Sequence, residues 1–244
     1  MAKLRATNID PKTATTLTLG ASGDAVTVSS TELRANTFKD AGGNTLWTSD
    51  GSGTLSSVNS SLAGGGMTLL ATYTPSSVSN VDITTNLTSA YIEYWFILSN
   101  FTVSAANCEF RTQFKQGGSY GVNHFGQAFE AFNPESGSTN ATLQTQTSLA
   151  EYNNSNDMGL GRDITSTASS TAVMTGIFKL YEPASTVVRT KWSSEIMLKR
   201  DSGGPGPMAT WAGGFVGSAS AVDGITFKTS SGTFSGTIQH YGIG

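Results

Sequence analysis

Cys108-Glu109-Phe110-Arg111-Thr112-Gln113-Phe114-Lys115 alternates without a break. Cys108, Phe110, Thr112 and Phe114 fall on one side of an extended chain, and Glu109, Arg111, Gln113 and Lys115 on the other. Successive side chains of a strand point to opposite faces, so this stretch predicts a strand with one face in a core and one toward water. Lys191–Lys199 repeats the pattern. Trp192, Ser194, Ile196 and Leu198 share one face, and Lys191, Ser193, Glu195, Met197 and Lys199 the other. Tyr91-Ile92-Glu93-Tyr94-Trp95-Phe96-Ile97-Leu98 differs, being apolar on both faces beyond Glu93. It predicts a strand covered on both sides. Residues 125–132, 172–181, 224–228 and 236–243 read as further strands, with Ser230-Ser231-Gly232 as the turn between the last two. No stretch longer than about two turns carries helical periodicity. Strands at this spacing predict an all-β protein, a β-sandwich of jelly-roll type over residues 67–244.

Composition agrees. Charged residues are 13% of the 244, and Ser and Thr together supply about a quarter. Such low charge with 9% aromatic residues suits many short strands and polar turns rather than a disordered chain. The net charge of −3 and the scattered basic residues give no electrostatic footing for nucleic acid. A single cysteine, Cys108, excludes a disulfide framework and reads as an inert thiol on an apolar strand face. The first residues lack the apolar run of a secretory signal, and Tyr91–Leu98 is too short to span a bilayer. The expectation is a soluble protein made in a reducing cytoplasm, without membrane insertion.

Residues 1–62 differ from the rest. Their apolar groups come in small sets: Leu17 and Leu19, Val26 and Val28, Phe38, Leu46 and Trp47. Gly- and Asp-rich turns separate them, and the Leu17/Leu19 and Val26/Val28 alternation with threonines predicts a hairpin. A few strands with so few anchors are marginal alone. The segment reads as an extended β-rich arm that gains order by pairing with other copies or with a partner surface. Leu17, Leu19, Val26, Val28, Phe38, Leu46 and Trp47 are its candidate oligomer and attachment contacts. Ala63-Gly64-Gly65-Gly66 reads as a hinge between arm and sandwich.

The sharpest enzyme signal is Lys199-Arg200-Asp201-Ser202-Gly203-Gly204-Pro205, which looks like a serine-protease nucleophile loop. The chemistry needs a histidine base oriented by a carboxylate. Only His124 and His240 exist, and His240 follows the serine. Arg200 stands where an oxyanion-pocket glycine is needed. Turn chemistry explains Asp-Ser-Gly-Gly-Pro better. Glu93, Glu109, Glu130 and Glu195 sit singly on different strands, which does not favour the carboxylate pair of a glycosidase. Two histidines and one cysteine far apart make no zinc spacing. Asn153-Asn154-Ser155-Asn156-Asp157 offers oxygens for Ca²⁺ or reads as an Asx-rich turn. Tyr120, Tyr152 and Trp211, the last within the Gly/Pro-rich loop 203–214, are candidates for stacking on a glycan. No catalytic residue, metal or cofactor is expected.

Tyr94-Trp95-Phe96-Ile97-Leu98-Ser99-Asn100-Phe101, Cys108-Glu109-Phe110-Arg111 and Gln116-Gly117-Gly118-Ser119-Tyr120 follow in order. Val222-Asp223-Gly224-Ile225-Thr226-Phe227, then Ser231–Ile238, then Tyr241-Gly242-Ile243 close the chain. This order resembles a group of tailed-bacteriophage virion proteins with a C-terminal concanavalin-A-like jelly roll. His240 stands where the resemblance implies an apolar residue. Asn36–Gly53 resembles a junction module that precedes fibre or decoration domains. The resemblance implies a non-enzymatic structural protein of the virion, made in the host cytoplasm. It would be a head decoration or head fibre, attached through its arm as a homotrimer to capsid or tail proteins. The alternatives are a tail fibre recognising host surface glycan and, further off, a glycan depolymerase.

Overall fold

A computed structural model describes residues 36–40, 42–52, 55–56, 58, 66–135, 142–145, 153–155, 157–166, 174–200 and 205–244. The chain divides into two units, Met1–Ala63 and Gly64–Gly244. Among the described residues the protein is all-β, with no helix. None of it is therefore a helix long and apolar enough to cross a membrane.

The first unit contains a three-stranded antiparallel sheet: β1 (Thr37–Lys39), β2 (Thr45–Ser49) and β3 (Leu55–Ser56). Asp40 closes the β1–β2 turn, accepting the Asn44 amide N–H at 2.8 Å, while Gly43 takes the left-handed φ of 83° that the turn requires. Phe38 faces Trp47 across the pair, with ring centroids 4.2 Å apart. No described side chain of this unit is buried. Leu17, Leu19, Val26 and Val28, and the hairpin predicted for them, lie outside the described residues.

The second unit is one fourteen-stranded antiparallel sheet, curled over on itself. Its broad half runs β4 (Met67–Tyr73), β17 (Phe234–Ile243), β6 (Glu93–Val103), β13 (Met174–Tyr181), β14 (Lys191–Arg200), β15 (Gly206–Val216) and β9 (His124–Phe132). Two short strands, β10 (Thr142–Thr145) and β11 (Asn153–Ser155), pair with the far edge of β9. The narrow half runs β12 (Met158–Ile164), β7 (Cys108–Gln116), β16 (Gly224–Thr229) and β5 (Asn80–Ile83), with β8 (Ser119–Tyr120) folded back on β7. A single register pair, Ile164 with Arg200, joins the halves along the backbone.

Aromatic rings do the rest. Phe227 of β16 meets Phe96 of β6 at 5.5 Å and Phe178 of β13 at 5.9 Å. Phe110 of β7 meets Phe101 of β6 at 5.1 Å and Phe234 of β17 at 5.5 Å. None of these strand pairs shares a backbone register, so the two halves lie face to face. Each buried Phe contributes about 1.5–3 kcal/mol, and edge or offset ring pairs add about 0.5–1.5 kcal/mol. Among the described residues every buried apolar side chain lies between Ile83 and Ile238.

The strict alternations hold. Cys108, Phe110, Thr112 and Phe114 are enclosed while their neighbours are half-buried. Trp192, Ser194, Ile196 and Leu198 are likewise inside. The strand predicted to be covered on both sides is not. It begins at Glu93, leaves Ile92 69% exposed, and buries only the Tyr94/Phe96/Leu98 face. Its other face is half-covered by neighbours in the same sheet: the Lys179 ammonium lies 4.0 Å from the Trp95 ring, and Ile97 sits opposite Ile177 and Gln239. The strand also continues past Asn100, which adopts a φ of 56° at a bulge where the register with β13 jumps.

Trp192 needs missing side chains beside it. A Cβ on Gly126 would stand 2.5 Å from its indole, and one on Gly214 would strike the Phe125 carbonyl at 1.9 Å. Gly126→Ala is expected to destabilise the second unit by about 1–3 kcal/mol through overpacking, read as a lower urea midpoint followed by tryptophan fluorescence.

His240 occupies the apolar position that the resemblance implied. It is enclosed and stacks on Phe96 at 4.5 Å, and neither ring nitrogen has a hydrogen-bond partner among the described residues. Burial lowers its pKa from 6.5 to about 4. As pH falls from 6.5 toward 4, the unfolded chain takes up the proton first. Stability should therefore drop over that window by on the order of 1 kcal/mol per pH unit and level off below it. His240→Phe removes this component, so urea midpoints measured from pH 7 to pH 4 should fall less in the variant.

Candidate functional site

The outward rows of the broad half follow from its register. Glu195, Trp211 and Phe129 stand side by side, as do Lys191, Phe215 and Phe125, and Met197, Ala209, Ala131 and Leu143. Trp211, Phe215, Phe129, Met197 and Leu143 are 40%, 40%, 47%, 52% and 75% exposed. Exposed apolar side chains thus concentrate on this face, the kind of surface that interaction sites use.

Trp211 is not on a loop. β15 begins at Gly206 and carries Trp211 in its middle, because the Gly and Pro residues that suggested a loop stand opposite Arg200 and Lys199 in a regular antiparallel ladder. The other tryptophans are occupied. Trp47 stacks on Phe38, Trp95 lies under Lys179, and Trp192 stacks on Phe178 in the core. The Trp211 and Phe129 side chains have no ring, cation or hydrogen-bond partner among the described residues. Beside them lies an apolar depression of about 460 Å³, with Ala131 and Ala209 at its floor and Leu143, Met197 and Pro207 around it. At the other end of the face, Phe215 stacks on Phe125 at 5.5 Å beneath the Arg189 guanidinium, next to a hollow of about 550 Å³.

Tyr120 sits on the other half of the curl, away from the Trp211 row. The outward rows of β5, β16 and β7 are Asp82, Thr226 and Gln113, then Asn80, Lys228 and Arg111. Tyr120, opposite Lys115, caps them and closes a polar pocket of about 380 Å³. Its hydroxyl is enclosed. Burial, then the Asp82 carboxylate, pushes its pKa up to about 12. Tyr152 lies outside the described residues. The structure therefore places two of the three glycan candidates, on different halves.

Two groups of carboxylates are held in ion pairs. Glu130 is enclosed and accepts hydrogen bonds from Arg162 at 2.6 Å and from Gln144. Burial alone would raise its pKa, but Arg162, Gln144 and Arg200 outweigh it and hold the carboxyl below its ordinary value. A general acid needs the opposite shift. Glu130, Arg162, Asp163 and Arg200 cluster where β12 meets β14, with Asp163 3.2 Å from Arg162 and 3.3 Å from Arg200. Glu109, Arg111, Asp157 and Lys228 form a second ladder across β7, β12 and β16, with Lys228 2.9 Å from Asp157. Asp157 thus faces two cations. Asn153–Ser155, three of the residues offered for Ca²⁺ or an Asx turn, forms strand β11. Among the described residues no three His, Cys, Asp or Glu side chains converge as metal ligands.

Both histidines are enclosed: His240 against Phe96, and His124 between Phe114 and Trp192 at 6.2 and 6.1 Å. Ser202 lies outside the described residues. Burial raises the Cys108 thiol pKa to about 11, far from a reactive thiolate.

Phe129, Phe215 and Leu143 went unnoticed in the sequence, whereas Met197 was placed on the outward face of its strand. Their signal was the second face of 125–132, where Phe125 and Phe129 share the solvent side with Gln127. Asp82 and Asn80 went unnoticed too, although Asn80-Val81-Asp82-Ile83 alternates in miniature. The chain matches no known protein family, no curated protein and no solved structure.

Proposed function

We propose that the protein is a non-enzymatic structural component of a tailed-bacteriophage virion. Residues 1–62 attach it, as a homotrimer, to capsid or tail proteins, and residues 67–244 project outward as a concanavalin-A-like jelly roll. The observation that carries this reading is the contrast between the units. The first buries no described side chain and stacks a single pair of rings, while the second encloses a continuous aromatic core. A three-stranded sheet so poorly covered gains its burial from outside itself, and strand pairing with other copies supplies it. The curled antiparallel sheet, with β4 and β17 as neighbours and the halves face to face, suits a jelly roll. Enclosed histidines and a Glu130 held ionised favour display over catalysis.

A second reading, a tail fibre binding host surface glycan, is favoured by the unpartnered Trp211–Phe129 pair on an outward face. Position in the particle separates the two. A head decoration covers the shell, whereas a tail fibre is confined to the tail, and immunogold labelling of purified particles distinguishes them.

Sedimentation of the full chain should give three times the 25.4 kDa chain mass. Deletion of residues 1–62 should leave a folded monomer with the same unfolding midpoint in urea. An oligomer unchanged by the deletion would remove the arm from its assembly role. Trp47→Ala in the full chain should shift the population toward monomer, because it removes half of the ring pair in the first unit.

A further inference from the structure

The outward face of the narrow half holds a pocket that the assembly reading does not use. About 380 Å³ in volume, it is at the small end of ligand pockets. Every side chain around it is polar, and Tyr120 brings its only ring. Asp82 offers a carboxylate, Asn80 and Gln113 carry both donors and acceptors, and Ser79 and Thr226 hydroxyls complete the wall. The Tyr120 hydroxyl is enclosed beside the Asp82 carboxylate.

The charges narrow the ligand. An anion such as phosphate would meet Asp82, and the pocket's one cation, Lys228, is already engaged by Asp157 at 2.9 Å. A divalent cation would lie near the Lys228 ammonium and find a single carboxylate, Asp82, in the wall, and no group of three His, Cys, Asp or Glu side chains converges among the described residues. An apolar ligand would find no aliphatic wall. A neutral molecule dense in hydroxyl groups suits all of these at once. Its hydroxyls donate to the carboxylate and exchange hydrogen bonds with the amides, and an apolar C–H face can lie against the tyrosine ring.

We infer that the Tyr120–Asp82 pocket binds a neutral pyranose, as a terminal unit of a surface glycan. The inference stands whether the protein sits on a head or a tail, and whether or not it is a trimer. It also lies on the opposite half of the curl from Trp211, so it is separate from the aromatic face.

The test titrates the full chain, isotopically labelled, with the methyl glycosides of glucose, galactose, mannose and N-acetylglucosamine, and follows backbone amide shifts. Inorganic phosphate and Ca²⁺ serve as charged probes. At least one glycoside should shift amides of β5, β8 and β16 saturably. Asp82→Asn should weaken that binding about tenfold, the loss expected for a hydrogen bond to a charged group. Tyr120→Phe should weaken it severalfold while keeping the fold, shown by an unchanged amide spectrum elsewhere. Trp211→Ala should leave it unaltered. The inference is overturned if no glycoside shifts the pocket amides, if shifts appear only around Trp211, if phosphate or Ca²⁺ binds there instead, or if the Asp82 and Tyr120 variants bind as well as the parent. A chain that sediments as a monomer yet binds the glycoside at this pocket sinks the assembly reading and leaves this one standing.

Discussion

Ring contact across the curl is the constraint on which the second unit depends. The backbone joins the two halves through one register pair, Ile164 with Arg200. A few backbone hydrogen bonds outside the ladders, such as Thr165 N–H to the Lys199 carbonyl and the Val78–Phe234 bridge, add to it, and side-chain packing centred on Phe96, Phe178, Phe227, Phe110, Phe101 and Phe234 holds the halves face to face. These rings come from strands far apart in sequence, so the core assembles only when the long-range antiparallel ladders are in register. A slip of one residue would turn every ring outward. The cluster of Glu130, Arg162, Asp163 and Arg200 sits at the same junction, where Arg162 donates to Glu130 of β9 and the Arg200–Asp163 ion pair links β14 to β12.

Once the inside is filled with rings, the two outsides are free to differ. The broad half exposes Trp211, Phe129, Phe215, Met197 and Leu143. The narrow half exposes Asp82, Asn80 and Gln113 around Tyr120, and an ionic ladder beside them. One face is suited to contact that removes apolar surface from water. The other is suited to directional hydrogen bonding. A protein that only filled space would need neither, and this difference supports a displayed domain with partners of two kinds.

The first unit shows the reverse economy. Its described strands carry one ring pair and well-formed turns, with Asp40 and Gly43 shaping the β1–β2 connection. Local geometry is specified while no described side chain of this unit is buried. That combination is the support for the attachment role proposed for residues 1–62.

Much of the fold was legible in the chain because strand alternation is a local property. Cys108–Lys115 and Lys191–Lys199 each declare an inward and an outward face, and the structure honours both. The lack of helical period declared the all-β class in the same way. Three features needed the third dimension. The 91–98 stretch looks covered on both sides, but its second face is half-shielded by Lys179 and Ile177 from the neighbouring strand, a partner eighty residues away. The stretch 203–214 looks like a loop, yet from Gly206 it is strand β15, because Lys191–Arg200 and His124–Phe132 flank it and supply the hydrogen bonds that override its Gly and Pro content. The Tyr120 pocket gathers residues from β5, β7, β8 and β16, and no local pattern brings these together. By itself the sequence determined which faces are apolar, since that depends on a residue and its near neighbours. Only the tertiary structure decided which apolar faces find cover, since that depends on strands brought together by the curl.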